Sequence, residues 1–255
     1  MGICAAGIRG PHRHAIFVVV FFLTPLGISD PSRARPFDEP LPPVHDIHFP
    51  NIFGTAEAGM VLYGNEKAWL KGITFDQAHF TLRSPRKEVA KLAGGNFDFR
   101  WPPGTLARAV FEHDIPALYL RFVKGVPIDG LRLDWGEDLP DYFSDGIEHE
   151  DFRDLSIDRF ESRAARGDAN LAAVSLLRAQ GISIVNKRAL PGTGGFLKSA
   201  NVTGKGLFVL NDLREAKREF SKNPGGFTLT GNLMPSKPSL VFCCKGETNG
   251  TACVG

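Results

Sequence analysis

Five carboxylates, Asp141, Asp145, Glu148, Glu150 and Asp151, crowd around His149 in the stretch "DYFSDGIEHEDF", residues 141–152. Carboxylates and an imidazole at this density are the materials of general acid/base catalysis or of a hard-cation site. Which of these they form depends on whether the chain converges the side chains or spreads them by strand alternation. Alternation sends Ile147 and His149 to one side of a strand and Glu148 and Glu150 to the other. The stretch therefore reads as turn, strand and turn, with its acids mostly exposed. His149 then stands in an inward row with Leu118, Leu120, Val174 and Leu176, where it is expected to be buried and hydrogen-bonded near the edge of the interior.

Other chemistry-bearing residues are sparse. Cys243, Cys244 and Cys253 lie close to the C-terminus, and Cys4 falls in a segment read below as a leader. Three thiols in an exported chain imply one disulfide, from Cys253 to one of the adjacent pair, and one left-over thiol. They lack a fourth ligand at zinc-site spacing, so no metal is expected. The Gly-Thr-Gly-Gly run at 192–195 has no following helix and lysine, so no phosphate loop and no cofactor is expected. A formal net charge of +2 gives no global pull toward nucleic acid.

The elements that must position these residues come from a repeat. Asp46-Ile47-His48-Phe49, Gly72-Ile73-Thr74-Phe75, Gly125-Val126-Pro127-Ile128, Asp154-Leu155-Ser156-Ile157, Gly181-Ile182-Ser183-Ile184 and Gly206-Leu207-Phe208-Val209 share one pattern: a turn-former, then apolar, variable, apolar. Their first apolar positions are separated by 26, 53, 29, 27 and 25 residues, and the largest interval is about two of the others. A second short strand precedes most of them, as in Leu118-Tyr119-Leu120 and Val174-Ser175-Leu176. Short alternating strands at a nearly fixed period describe stacked coils that bury their inward residues against neighbours. The fold class predicted is all-β, a right-handed parallel β-helix of about six coils over residues 41–220. The helical spacing of Leu213, Ala216, Lys217 and Phe220 in "DLREAKREF" predicts a short C-terminal helix as a cap. Residues 84–117 read as an irregular excursion and 221–255 as an irregular tail.

The first 34 residues read as a signal peptide. Arg9, His12, Arg13 and His14 lead into the 14-residue apolar run Ala15–Ile28, and Ser32-Arg33-Ala34 resembles a cleavage site. Secretion or export to a periplasm is expected, with membrane contact only through this segment. The coil edge on the N-terminal side is expected to be open and prone to self-association.

Aligning the repeats places side chains on shared outward slots. Asp129 and Asp158, each three residues past its anchor, become neighbours on adjacent coils and are the candidate catalytic carboxylates. Arg132, Glu161 and Arg188 form an alternating charge ladder, and Arg121 pairs with Glu150. Lys71, Lys87, Lys91, Arg100, Arg108, Arg121 and Lys124 could present a basic face to a uronate-containing polysaccharide, with Trp69, Trp101 and Trp135 as stacking platforms. The candidate binding residues from this set are Trp101, Trp135, Arg121 and Lys124.

"PVHDIHFPNIFGTAEAGMVLYGNEKAWLKGITFDQAHFTLR" resembles the later coils of polygalacturonase-type glycoside hydrolases, which degrade pectin on a pectin-lyase-like solenoid. "VKGVPIDGLRLDW", "FRDLSIDRFES" and "RALPGTGGFL" are similar to the closing coils of bacterial relatives, so the resemblance covers roughly residues 41–215. It implies inverting hydrolysis of an acidic polysaccharide between two carboxyl groups about 6.5–9.5 Å apart. The family's catalytic signature, an Asn-Thr-Asp, an Asp-Asp pair, a Gly-His-Gly and an Arg-Ile-Lys, does not occur in this chain. The alternative expectation is therefore a non-catalytic remnant or a carbohydrate-binding or structural β-helix module.

Overall fold

The computed structural model describes residues 6–8, 16–18, 22–23, 45–57, 59–64, 69–84, 114–168, 170–220 and 227–235. Three short strands come first: β1 (Ala6–Ile8) and β2 (Ile16–Val18), which pair antiparallel, and β3 (Phe22–Leu23). Next come β4 (His45–Pro50), β5 (Phe53–Ala56), β6 (Met60–Tyr63), β7 (Leu70–Asp76) and β8 (His79–Leu82). The longest strands follow, each with a short companion: β9 (Leu118–Asp129) with β10 (Arg132–Trp135), β11 (Ile147–Asp158) with β12 (Glu161–Ser162), and β13 (Ala172–Val185) with β14 (Arg188–Ala189). The chain then makes β15 (Thr193–Ala200), β16 (Gly206–Val209), β17 (Ala216–Phe220) and β18 (Phe227–Thr230).

Every strand pairing after the β1–β2 hairpin is parallel. Strands β6, β9, β11, β13, β15 and β17 stack in one sheet, and β5, β8, β10, β12 and β14 in a second. This is the parallel β-solenoid expected, with about five turns against the six coils predicted.

The long strands turn corners without leaving the ladder. In β9 the left-handed residues are Phe122 and Gly125, in β11 Asp151 and Asp154, and in β13 Arg178 and Gly181. A third column of such corners runs through Gln77, Gly130, Arg159 and Asn186. One left-handed residue redirects a strand while its neighbours keep their hydrogen bonds, so each coil bends at the same places as the coil below. At Gly181 the demand for glycine is double. Its φ is +68°, and an added Cβ would lie 2.8 Å from Oδ1 of Asp154. Gly181→Ala is expected to cost about 1–2 kcal/mol, read as a lower urea midpoint at unchanged slope.

Inward residues form continuous columns. Ile73, Val126, Leu155 and Ile182 make one, and Phe75, Ile128, Ile157, Ile184 and Phe208 another, all buried. The sixth repeat departs from the alignment. Ser183 pairs with Leu207 and Ile184 with Phe208, so Phe208 faces inward and Leu207 is exposed. A one-residue shift exchanges the two faces of a strand, and in "GLFV" both apolar positions satisfy the pattern, so spacing alone chose the wrong one.

The expected C-terminal helix is instead a strand. Leu213 and Ala216 are buried and joined by a tight turn, Ala216 N–H to Leu213 O at 2.9 Å, after which β17 pairs with β15. An i, i+3 apolar pair fits a turn entering a strand as well as it fits a helix. The neighbouring β15 edge, with its unpaired backbone groups, favours the strand. Stacking continues through β18 and a bridge from Asp212 to Leu233. Most of the leader, residues 85–113 of the excursion and the three C-terminal cysteines lie outside the described residues.

Candidate functional site

The outer face of β11 gathers the acids that opened the sequence. Asp145, in the turn before the strand, is buried at 1% exposure. Its Oδ1 accepts the Ala172 N–H at 2.7 Å and its Oδ2 meets Lys198 Nζ at 2.8 Å, tying together three successive coils. Burial pushes the Asp145 carboxyl above its ordinary range, although Lys198 and the Ala172 amide pull the other way. Glu150 and Asp151 clamp two arginines. Arg121 Nε reaches Asp151 at 3.0 Å and Glu150 at 3.6 Å, while Arg178 reaches Glu150 at 3.0 Å and Asp151 as well. Hydrogen bonds from Arg178, then Arg121, hold the Asp151 carboxyl below its ordinary range.

The expectation that these acids are mostly exposed is therefore corrected for Asp145, Glu150 and Asp151. Alternation treats a strand as straight. The left-handed corner at Asp151 puts two consecutive acids on the outside together, and the turn folds Asp145 back under Lys198. The predicted pairing of Arg121 with Glu150 is present, shared with Asp151. Asp141 remains exposed.

His149 projects inward as alternation requires, in register between Leu120 and Leu176 and fully buried. Its ring stacks on Phe152 with centroids 3.8 Å apart, and neither nitrogen has a hydrogen-bond partner. The expected hydrogen bond is absent because the inward row offers only hydrocarbon. Burial holds its pKa well below the ordinary histidine value.

Asp129 and Asp158 are register partners, as the slot alignment predicted, and Asp76 extends the column on the other side of Asp129. Arg159 compensates the pair: its guanidinium reaches Asp129 at 2.6 Å and its backbone N–H reaches Asp158 at 2.8 Å, while Asn186 Nδ2 adds a bond to Asp158 at 3.1 Å. Behind them lies a residue that spacing did not single out. Lys187 occupies the inward position one before Arg188, as Leu131 does before Arg132 and Phe160 before Glu161. It is 2% exposed, its Nζ has no partner, and burial pushes its pKa down to about 7 against the attraction of Asp158 and Asp129. The clue in the sequence was the column, in which a lysine follows leucine and phenylalanine.

The second sheet carries the predicted ladder, with Arg132 to Glu161 at 3.1 Å and Arg188 to Glu161 at 4.0 Å. Trp135 is committed to packing: it is buried, its ring meets Phe143 edge-on, and its N–H donates to Arg163 O at 2.8 Å. Trp101 lies outside the described residues. Trp69 lies under Arg153, whose guanidinium carbon is 5.3 Å from the ring centroid.

A basic lane emerges from the register. His45 pairs with Lys71, Lys71 with Lys124, and Lys124 with Arg153, giving four basic residues at one outward position on successive coils. Parallel strands are about 4.8 Å apart, so the lane offers one cationic group at each such step. All four side chains are exposed. Lys124 has an acidic neighbour only at 3.8 Å, Oδ2 of Asp154, and His45 has Asp46 at 2.7 Å. Among the described residues no cluster of His, Cys, Asp and Glu has the form of a metal site.

Fold and faces together define a parallel β-solenoid with a cationic outer lane and compensated acidic columns. No protein-family model and no curated protein matches the chain. A solved structure described as a "putative glycosyl hydrolase", from Parabacteroides merdae ATCC 43184, is similar at 14% sequence identity and a TM-score of 0.36, over 76% of this chain and 79% of that one. A likeness of that size carries no inference about chemistry.

Proposed function

We propose that this solenoid binds an acidic polysaccharide of the uronate type along the lane His45–Lys71–Lys124–Arg153. The observation that carries the reading is the stacking of four exposed basic residues at one register position on successive coils. A linear polyanion lying parallel to the solenoid axis would meet a cation at each strand spacing, and the Trp69–Arg153 pair offers an aromatic edge beside it. The resemblance to polygalacturonase-type coils supports a pectin-like ligand, and the signal-like first 34 residues support action outside the cytoplasm.

Binding should fall with salt, because exposed ion pairs are screened. With polygalacturonate as the probe, Lys71→Glu/Lys124→Glu is expected to weaken binding at least about tenfold, since each exposed ion pair contributes up to about 1 kcal/mol and reversal also adds repulsion. Equal retention of a neutral glucan by the parent chain, or no effect of the double reversal, overturns the proposal.

A second reading is hydrolysis at Asp129 and Asp158, favoured by their register pairing on adjacent coils. That spacing is close to the ~5–5.5 Å of a retaining pair and shorter than the ~6.5–9.5 Å that inversion needs. Reducing-sugar release that survives Asp129→Asn/Asp158→Asn clears both residues.

A further inference from the structure

We propose that His149 is an acid-responsive weak point at the centre of the solenoid, so that protonation of its ring loosens β11 from β9 and β13. The ring is fully buried in a strand paired on both sides, between Leu120 and Leu176, with Phe152 covering one face. Neither nitrogen has a partner, so an imidazolium formed in place would be a buried, uncompensated charge. Water must reach the ring, or the strand must move, before the charge is tolerated.

The surroundings give the proton no counter-ion. On the inner side β9 presents Leu118, Leu120 and Val123, and β13 presents Val174, Leu176 and Ala179, all buried hydrocarbon. The titratable and charged groups of the same strands, Tyr119 and Arg121 on β9, Glu148, Glu150 and Asp151 on β11 and Arg178 on β13, belong to the outer face or its corner. Among the described residues the other buried ionisable side chains are Asp145 and Lys187. Burial alone accounts for the depressed basicity of His149.

The direction follows from linkage. A histidine whose folded-state pKa is depressed is neutral when folded and protonated when unfolded below about pH 6.5, so the unfolded or opened state gains a proton as pH falls. The stability associated with a neutral His149 is present above about pH 6.5 and is lost below it. The folding constant should drop about tenfold per pH unit, or about a hundredfold by pH 4.5. Lys187 adds no slope in this window, because with a pKa of about 7 when folded it is protonated in both states over most of it.

The test compares the full chain with its His149→Leu variant by urea unfolding between pH 7.5 and 4.5, with His149→Met as the fallback if leucine does not fold. The parent should show the hundredfold loss, and the variant should lack the tenfold-per-unit component. Identical slopes in parent and variant overturn the proposal. Hydrogen exchange at pH 5, corrected for intrinsic rates, locates the opening. Faster exchange confined to peptides covering 118–129, 147–158 and 172–185 is the expected result, and a uniform rise along the chain overturns the local device.

Discussion

Replacing Asp145 with alanine is expected to destabilise the chain by about 3–5 kcal/mol, the scale for removing one partner of a buried ion pair. Two losses combine. The Ala172 N–H, buried at the start of β13, loses its acceptor, and Lys198 loses the carboxylate at 2.8 Å. Because Lys198 is 28% exposed against 2% for Asp145, its ammonium can turn toward water, whereas the carboxylate cannot. The two single variants should therefore behave differently. Lys198→Met strands a buried carboxyl whose folded pKa is already raised, and such a group contributes stability below its unfolded pKa that is lost as pH rises through its folded value. Lys198→Met should thus lie closer to the parent at pH 4 than at pH 7. Asp145→Asn keeps an acceptor for the Ala172 amide, and Asp145→Asn/Lys198→Met should cost less than the sum of its parts. Urea unfolding of the set decides it. An alanine variant within 1 kcal/mol of the parent would show that the three-coil tie does not hold the coils together.

The staple also marks the limit of what the primary structure shows. Coil period, inward columns and outward register were legible because identical turns force each coil onto the one below. That is why Asp129 met Asp158 and Glu161 fell between Arg132 and Arg188 as expected. What remained illegible were the corners. Phe122, Arg178 and Arg159 adopt left-handed backbone without being glycine or asparagine, so no local signal announced them. Each corner changes which neighbours share a face, and through it Asp151 joined Glu150 in clamping Arg121 and Arg178. The strand in place of a helix at Ala216–Phe220 has the same origin, a non-local pairing that local spacing does not encode. The basic lane lies between these cases: Lys71 and Lys124 stood out as basic residues, but Arg153 and His45 joined them only through register.

Lys187→Met is expected to act in the opposite sense and stabilise the chain at neutral pH, by about 1–4 kcal/mol. The Lys187 ammonium lies where its column places leucine and phenylalanine, and no group receives its protons. Its attraction to Asp158 and Asp129 is outweighed by desolvation, which is why its pKa falls from 10.5 to about 7. Methionine keeps the length and flexibility of the stem and removes the charge, so the cavity penalty is small. The sign is set by proton uptake. Between about pH 7 and pH 10.5 the unfolded chain holds a proton on this amine that the folded chain has released, so the parent gains stability as pH rises across that window. The variant lacks that gain, so its advantage should be largest at pH 7 or below and should shrink by pH 9.5. The backbone N–H of Lys187 still donates to Asn211 Oδ1 at 3.0 Å in either case, so the turn itself should be unaffected. Urea midpoints at the two pH values test this directly. A variant less stable than the parent at both would mean that the amine is satisfied in solution, and the field of Asp129 and Asp158 would then be the term that prevails.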